Sequence, residues 1–159
     1  MKLSVHTESW PVARPFGITG REWTSFDSVV VELERDGQIG RGEALGVFYR
    51  DESAASLMEQ INAIPQRDLA GLDRQLLLSR LPPGGARNAL DCALWDLEAK
   101  STGRSIWDLT GVSPRVLTTV YTISIESTPG RMAEHAASAA ACPNLKIKLD
   151  AHQPLERIR

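Results

Sequence analysis

Two lysines near the end of the chain have the type and spacing of residues that can move a proton. Lys146 and Lys148 lie two residues apart in the apolar run 145–149, so a strand would point both side chains to the same face. Inside a parallel sheet or barrel, mutual repulsion and lost hydration favour the neutral amine over the ammonium ion. A neutral amine near pH 7 is what a general base requires. The alternative is an edge strand whose lysines face water and discourage aggregation.

The preceding segments predict the strand–helix–strand unit that would position these lysines. Residues 116–125 alternate as a strand does. Thr128 followed by Pro129 favours the start of a helix, because proline at the first helical position lacks an N–H that would be unsatisfied there. The apolar residues of the run 145–149 would face this helix, and the lysines would face the opposite side. A lone βαβ unit cannot cover both faces of a parallel sheet, so we expect it to belong to a larger α/β domain.

The first 113 residues predict a separate α+β domain. A β-branched run at 28–35 ends at Asp36-Gly37, and this pair is a strong signal for a tight hairpin. Helical patterns follow, the first of them with Asp51 as its expected N-cap. The clearest helix covers residues 86–97, where small alanines on one face suggest close packing against a flat neighbour.

Composition and charge argue against a nucleic-acid or membrane partner. The net charge is −2 over 159 residues, whereas an anionic partner would favour a basic excess. No apolar stretch approaches the roughly 20 residues that span a bilayer, and the start of the chain does not resemble a targeting segment. Cys92 and Cys142 form no metal-binding spacing with the scattered histidines. We therefore expect a cytoplasmic protein.

Four stretches, in this order, resemble the dipeptide epimerases of the enolase superfamily, in particular the L-Ala-D/L-Glu epimerase family. They are RPFGITGR at 14–21, ARNALDCALWDL at 86–97, YTISI at 121–125, and the KxK motif of Lys146 and Lys148. The resemblance covers essentially the whole chain. It implies an α+β capping domain at residues 1–113, of the type found at the amino terminus of muconate-lactonizing enzymes. Residues 114–159 would then be the first βαβ unit of an incomplete TIM-like (β/α) barrel.

The resemblance also implies a reaction and the residues that carry it. Such enzymes abstract the proton α to a carboxylate, and Mg²⁺ holds the resulting enediolate at the carboxyl ends of the barrel strands. By motif, Lys148 is the catalytic base and Lys146 contacts the substrate carboxylate. Thr122, on the first barrel strand, contacts the substrate unless it only packs the barrel interior. Arg21, at the tip of the first cap loop, is a two-pronged donor to a substrate carboxylate unless it is merely solvated.

The same resemblance implies groups that these 159 residues do not contain. Family members carry Asp, Glu and Asp metal ligands on the third to fifth barrel strands, and a second catalytic lysine beyond them. No residue in the present sequence is therefore predicted to bind metal, and this fragment by itself is expected to be inactive.

The leading interpretation is an isomerase, an epimerase of small-molecule dipeptides in murein peptide recycling. A muconate cycloisomerase or an o-succinylbenzoate synthase on the same scaffold is one alternative. A noncatalytic fragment or binding module is another. The sequence leaves open whether the protein is a homo-oligomer.

Overall fold

Three strands form the main sheet of the computed structural model, which describes residues 1–158. They lie in the order β1 (Lys2–Ile18), β2 (Arg21–Arg35) and β3 (Gln38–Leu45). Strands β2 and β3 are antiparallel, with Arg35 opposite Gln38. Between them, Asp36 and Gly37 both have positive φ, at 51° and 78°. Positive φ at both positions is what a type I′ turn requires, so the predicted hairpin is confirmed.

The chain divides into two compact units that are not continuous in sequence. The first unit comprises Met1–Trp10 and Asp27–Pro114, and the second comprises Pro11–Phe26 and the residues from Arg115 onwards. Strands β1 and β2 contribute to both units, because each crosses a boundary. The domain boundary predicted between residues 113 and 114 stays a prediction.

Five helices follow the sheet in the first unit, which confirms the predicted α+β architecture. They are α1 (Ala54–Asn62), α2 (Gln66–Leu69), α3 (Arg74–Arg80), α4 (Gly85–Thr102) and α5 (Ile106–Thr110). The expected N-cap of α1 is wrong, because Ser53 occupies that position and its side chain accepts from the Ser56 N–H. Asp51 instead lies in the left-handed region, with φ 56°, after a single 3₁₀ turn. No helix among residues 1–158 is long and apolar enough to cross a membrane.

The core of the first unit lies between the sheet and α4. Val29, Val31 and Leu33 alternate along β2 and are fully buried. Helix α4 contributes a face of small and apolar residues, all at most 6% exposed: Ala86, Ala89, Leu90, Ala93, Leu94 and Leu97. This face agrees with the close packing that the alanines suggest.

A carboxylate on the rim of α4 ties the helix to β3. Asp96 Oδ2 accepts the Arg41 N–H at 2.7 Å and the Lys100 ammonium at 2.7 Å. Partial burial would raise the pKa of the Asp96 carboxyl, but these hydrogen bonds and the two positive charges together hold the pKa below its usual value. Asp96 therefore has a structural role in the arrangement of helix and strand.

Glu52 caps α4 from outside the helix. Its Oε1 accepts the Gly85 N–H at 3.0 Å, at the first position of α4, where the N-cap Gly84 supplies no side-chain acceptor. Its Oε2 accepts the Val47 N–H at 3.0 Å. One carboxylate thus satisfies an orphan donor at a positive helix end and fixes the segment that precedes α1.

Glu52→Gln is expected to lower the free energy of unfolding by about 1–2 kcal/mol, because an amide has one acceptor oxygen for two N–H donors. Urea unfolding of the chain, followed by circular dichroism, measures the change. Glu59→Gln, an exposed position of α1, removes the same charge and is the matched control, expected to change stability by less than about 0.5 kcal/mol. Superimposable curves for the two variants would refute the capping role of Glu52.

The second unit contains the predicted strand–helix–strand unit. Strand β4 (Tyr121–Ile123) pairs in parallel with β5 (Leu145–Ile147), and α6 (Pro129–Ser138) connects them. Thr128 caps α6 by accepting the Arg131 N–H, with proline at the first helical position as expected. Ile123 is 1% exposed and packs against residues of α6 and the turn after it.

Both strands of this unit are shorter than the sequence predicts. Residues 112–120 have no regular secondary structure, and Val116 and Leu117 are 100% and 88% exposed. Among residues 1–158, β5 pairs only with β4, and Leu145, Ile147 and Leu149 stay 38–40% exposed. An alternating pattern extends a strand only where a neighbour satisfies its backbone groups.

Candidate active site

The four predicted site residues all lie in the second unit. Thr122 is the central residue of β4, and Lys146 is the central residue of β5. Lys148 follows the last residue of β5, and Arg21 is the first residue of β2. Thr122 and Lys148 are half-buried, whereas Arg21 and Lys146 are exposed.

The parallel register brings Thr122 and Lys146 together. They are direct partners in the β4–β5 pair, so their side chains share one face of the sheet. The Lys148 N–H donates to the Ile123 carbonyl at 2.9 Å, which continues the ladder past the end of β5. Alternation then places the Lys148 side chain on the same face as Lys146.

The lysine face is the one that α6 does not cover. Ile123 and Ile147 are partners on the opposite face, and Ile123 packs against Met132 of α6. Lys148 also lies at the carboxyl edge of the two parallel strands, the edge at which α/β folds bind their ligands. The two lysines therefore lie on the open face of the β4–β5 pair, and Lys148 lies at its carboxyl edge.

A hairpin arm formed by the ends of β1 and β2 packs on this carboxyl edge. The Gly17 carbonyl accepts the Ile125 N–H at 3.2 Å, and Thr19 Oγ1 donates to the Leu149 carbonyl at 3.5 Å. A Cβ at Gly17 would lie 2.6 Å from the Ile125 oxygen, so the approach requires glycine. Arg21 begins the returning strand two residues after Thr19, in the same unit as Lys148.

The first cap loop, at whose tip Arg21 was expected, is only a two-residue turn. Strand β1 continues to Ile18, and only Thr19 and Gly20 form the turn. Gly20 takes a φ of 73°, which glycine adopts without strain. Cross-strand hydrogen bonds and the contact with Ile125 extend the strands, and neither is visible in local sequence. Arg21 keeps its expected place beside the tip, but on a strand.

Three aromatic rings on the arm form a cluster that sequence reasoning missed. Phe16 lies 6.1 Å from Trp23 and 6.4 Å from Phe26 between ring centroids, and Trp23 stacks on Phe26 at 5.9 Å. The Arg21 guanidinium carbon lies 5.3 Å from the centre of a Trp23 ring. Arg21 and Trp23 lie two residues apart on β2, but local sequence does not indicate that a strand begins at Arg21.

A buried histidine lies on the other face of β4. His135 of α6 is 4% exposed, and its Nε2 is 3.3 Å from the Tyr121 hydroxyl. Its Nδ1 is 3.3 Å from Glu126 Oε1, but these two atoms are not oriented to form a hydrogen bond. These groups dock α6 on β4, on the side away from the lysines.

Arg157 is a second buried polar residue that the sequence did not indicate. It donates to the Glu126 carbonyl at 2.9 Å and to the His152 carbonyl at 3.0 Å. The residues after β5 are thereby tied to the β4–α6 connection.

The described residues do not provide the ligand set that the resemblance implies for Mg²⁺. Within residues 1–158, no group of three or more His, Cys, Asp or Glu side chains is arranged to hold a metal ion. What this part of the chain offers is a pair of amines, a hydroxyl and a guanidinium. These groups can bind carboxylates and accept a proton.

This chain is similar over nearly its whole length to known proteins, of which three are described. The L-Ala-D/L-Glu epimerase of Escherichia coli (strain K12) is 42% identical over 159 residues, which cover 98% of this chain and 49% of that protein. An enolase family member from Agrobacterium tumefaciens with homology to dipeptide epimerases, solved with sodium and L-Ala-L-Glu, is 39% identical with a TM-score of 0.92. That similarity covers 99% of this chain and 48% of that one.

The third is a dipeptide epimerase from Methylococcus capsulatus, solved with Mg and the dipeptide L-Arg-D-Lys. It is 31% identical with a TM-score of 0.80, over 99% of this chain and 48% of that one. The chain thus spans about half the length of the relatives it matches.

A protein-family model matches the amino-terminal part of the chain. It is described as the mandelate racemase / muconate lactonizing enzyme N-terminal domain, and it matches residues 1–111. This match covers more than half of the 159 residues. The chain therefore belongs to the mandelate racemase / muconate lactonizing enzyme family of the enolase superfamily.

Proposed function

We propose that this chain is the amino-terminal half of a dipeptide epimerase that removes and returns the proton α to a carboxylate. The observation that carries the proposal is the position of Lys146 and Lys148. They lie on the face of β4–β5 that α6 leaves open and at the carboxyl edge, in the same unit as Arg21. The names of the relatives support the same reaction.

Each residue has a distinct role in the proposed reaction. Lys148 takes the α proton from one face of the bound dipeptide. Lys146 contacts the carboxylate next to that carbon and offsets the charge that develops on it. Thr122, the partner of Lys146 in the sheet, contacts the same end of the substrate. Return of a proton to the opposite face needs a second acid, which we place in the other half of the full-length protein.

The proposed substrate is a dipeptide with an acidic second residue. A guanidinium offers paired donors whose geometry matches a carboxylate, and Arg21 is held on the arm that packs on the site edge. The Agrobacterium tumefaciens relative was solved with L-Ala-L-Glu. Relatives with bound Mg support Mg²⁺ as the metal of the full-length protein, with ligands outside the described residues. The expected cytoplasmic location stays a prediction.

Exchange of the α proton tests the proposed function. The full-length protein that carries this chain is incubated with L-Ala-L-Glu in D₂O, and NMR follows loss of the Glu α proton and appearance of the D-Glu diastereomer. Both are expected, because an epimerase exchanges this proton with solvent as it inverts the centre. A protein that exchanges no α proton of this dipeptide contradicts the proposal.

Arg21→Lys in the full-length protein is expected to raise KM for L-Ala-L-Glu about tenfold and to leave kcat little changed. Lysine keeps the charge but loses the two-pronged geometry. Steady-state epimerisation rates measure both constants. Arg14→Lys is the matched control, because Arg14 is an exposed arginine on the same arm. An Arg21→Lys enzyme with the parent's KM would mean that Arg21 does not bind the substrate carboxylate.

A further inference from the structure

The guanidinium of Arg21 lies over an aromatic ring that is itself held in place. Its central carbon is 5.3 Å from a Trp23 ring centre, within the range of cation–π attraction. Trp23 is half-buried and stacks on Phe26 with an interplanar angle of 30°. Phe16 on β1 packs against both rings, so the indole is fixed from two strands of the arm.

A fixed indole beneath an arginine reduces the conformational entropy that the arginine side chain loses on binding. A free arginine side chain has many rotamers, and ordering them opposes every contact that requires one geometry. A ring that already restricts the guanidinium lowers this loss. In general, a guanidinium that lies over a ring keeps the N–H groups in its plane able to donate to a carboxylate.

We infer that Trp23 is a positioning residue that holds Arg21 in the orientation needed to bind the side-chain carboxylate of an acidic dipeptide. The inference rests on the proposed function, because it takes Arg21 as the group that binds this carboxylate. It adds a residue that neither the KxK motif nor the other matching stretches contain. Trp23 acts through Arg21 and selects acidic over neutral second residues.

The test compares acidic and neutral dipeptides in Trp23→Leu full-length protein. KM for L-Ala-L-Glu is expected to rise about two- to fivefold, the loss that one partly exposed cation–π contact gives, with kcat unchanged. KM for L-Ala-L-Gln, which has no side-chain carboxylate, is expected to stay at the parent value. Trp23→Phe keeps an aromatic face and is expected to fall between parent and leucine variant. Trp23→Met replaces the leucine variant if that protein does not fold.

A double-mutant cycle separates positioning from general support of the fold. In an Arg21→Met background, Trp23→Leu is expected to have no further effect on KM for L-Ala-L-Glu, because the guanidinium that Trp23 positions has been removed. Independent effects that multiply, or equal changes in KM for the acidic and neutral dipeptides, would overturn the role of Trp23. Failure of this inference can be distinguished from failure of the proposed function. If the proposed function were wrong, the parent protein itself would exchange no α proton.

Discussion

Lys148→Ala in the full-length protein is expected to slow α-proton exchange about 10²–10⁴-fold for one enantiomer of the epimerised residue and to leave exchange of the other less affected. The reason is geometric. Lys148 extends the β5 ladder from one side of the site, so its amine reaches only one face of the planar intermediate. Loss of a positioned base slows proton transfer about 10²–10⁴-fold. NMR in D₂O, with L-Ala-L-Glu and L-Ala-D-Glu in separate samples, measures the two rates.

Two further lysine variants make this result specific. Lys146→Ala is expected to slow exchange of both enantiomers, because Lys146 contacts the carboxylate common to them. Lys2→Ala removes the same charge from a solvent-facing lysine at the start of β1 and is expected to keep both parent rates. If Lys148→Ala exchanged both enantiomers at the parent rate, Lys148 would not be the base.

The lysine pair and its scaffold could be predicted because their signals are local. The two-residue spacing of Lys146 and Lys148 fixes a shared face in any strand, and Thr128-Pro129 marks a helix start wherever that helix packs. The Asp36-Gly37 turn likewise depends on two residues that tolerate positive φ. Each of these features follows from the chemistry of neighbouring residues.

The features that sequence reasoning missed depend on distant partners. Residues 14–18 continue a strand because the chain returns beside them and Ile125 donates to Gly17, a contact across more than 100 positions. The contact of Arg21 with Trp23 depends on the strand that begins at Arg21, which local sequence does not indicate. Charged residues are usually exposed, so the sequence does not indicate that Arg157 is 8% exposed and donates to two carbonyls.

The choice of cap for α1 shows a different difficulty. Asp51 and Ser53 are both good N-cap residues, and they lie two positions apart. Ser53 forms a reciprocal capping box with Ser56, whereas Asp51 ends the preceding 3₁₀ turn in a left-handed conformation. Sequence preference alone could not rank them, because the hydrogen bonds of the preceding turn decide.

The close approach of α4 to β3 depends on two glycines whose role the sequence did not reveal. Gly40 and Gly42 are buried on the side of β3 that faces the helix. A Cβ at Gly42 would overlap the Ala89 carbonyl oxygen and would lie 2.5 Å from Ala93 N. These neighbours are helix backbone, which cannot move aside as a flexible side chain can.

Gly42→Ala is therefore expected to lower the free energy of unfolding by about 2–4 kcal/mol, because the added methyl group must push α4 away from the sheet and open the core beneath it. Urea unfolding measures the loss, and faster amide exchange throughout α4 locates it. Gly71→Ala is the matched control: a Cβ there meets nothing within 4 Å and needs no positive φ. Alanine at position 71 restricts the unfolded chain, so this variant is expected to leave the free energy of unfolding unchanged or to raise it by up to about 1 kcal/mol. Equal midpoints for the two variants would show that α4 does not pack on the backbone of β3 at this distance.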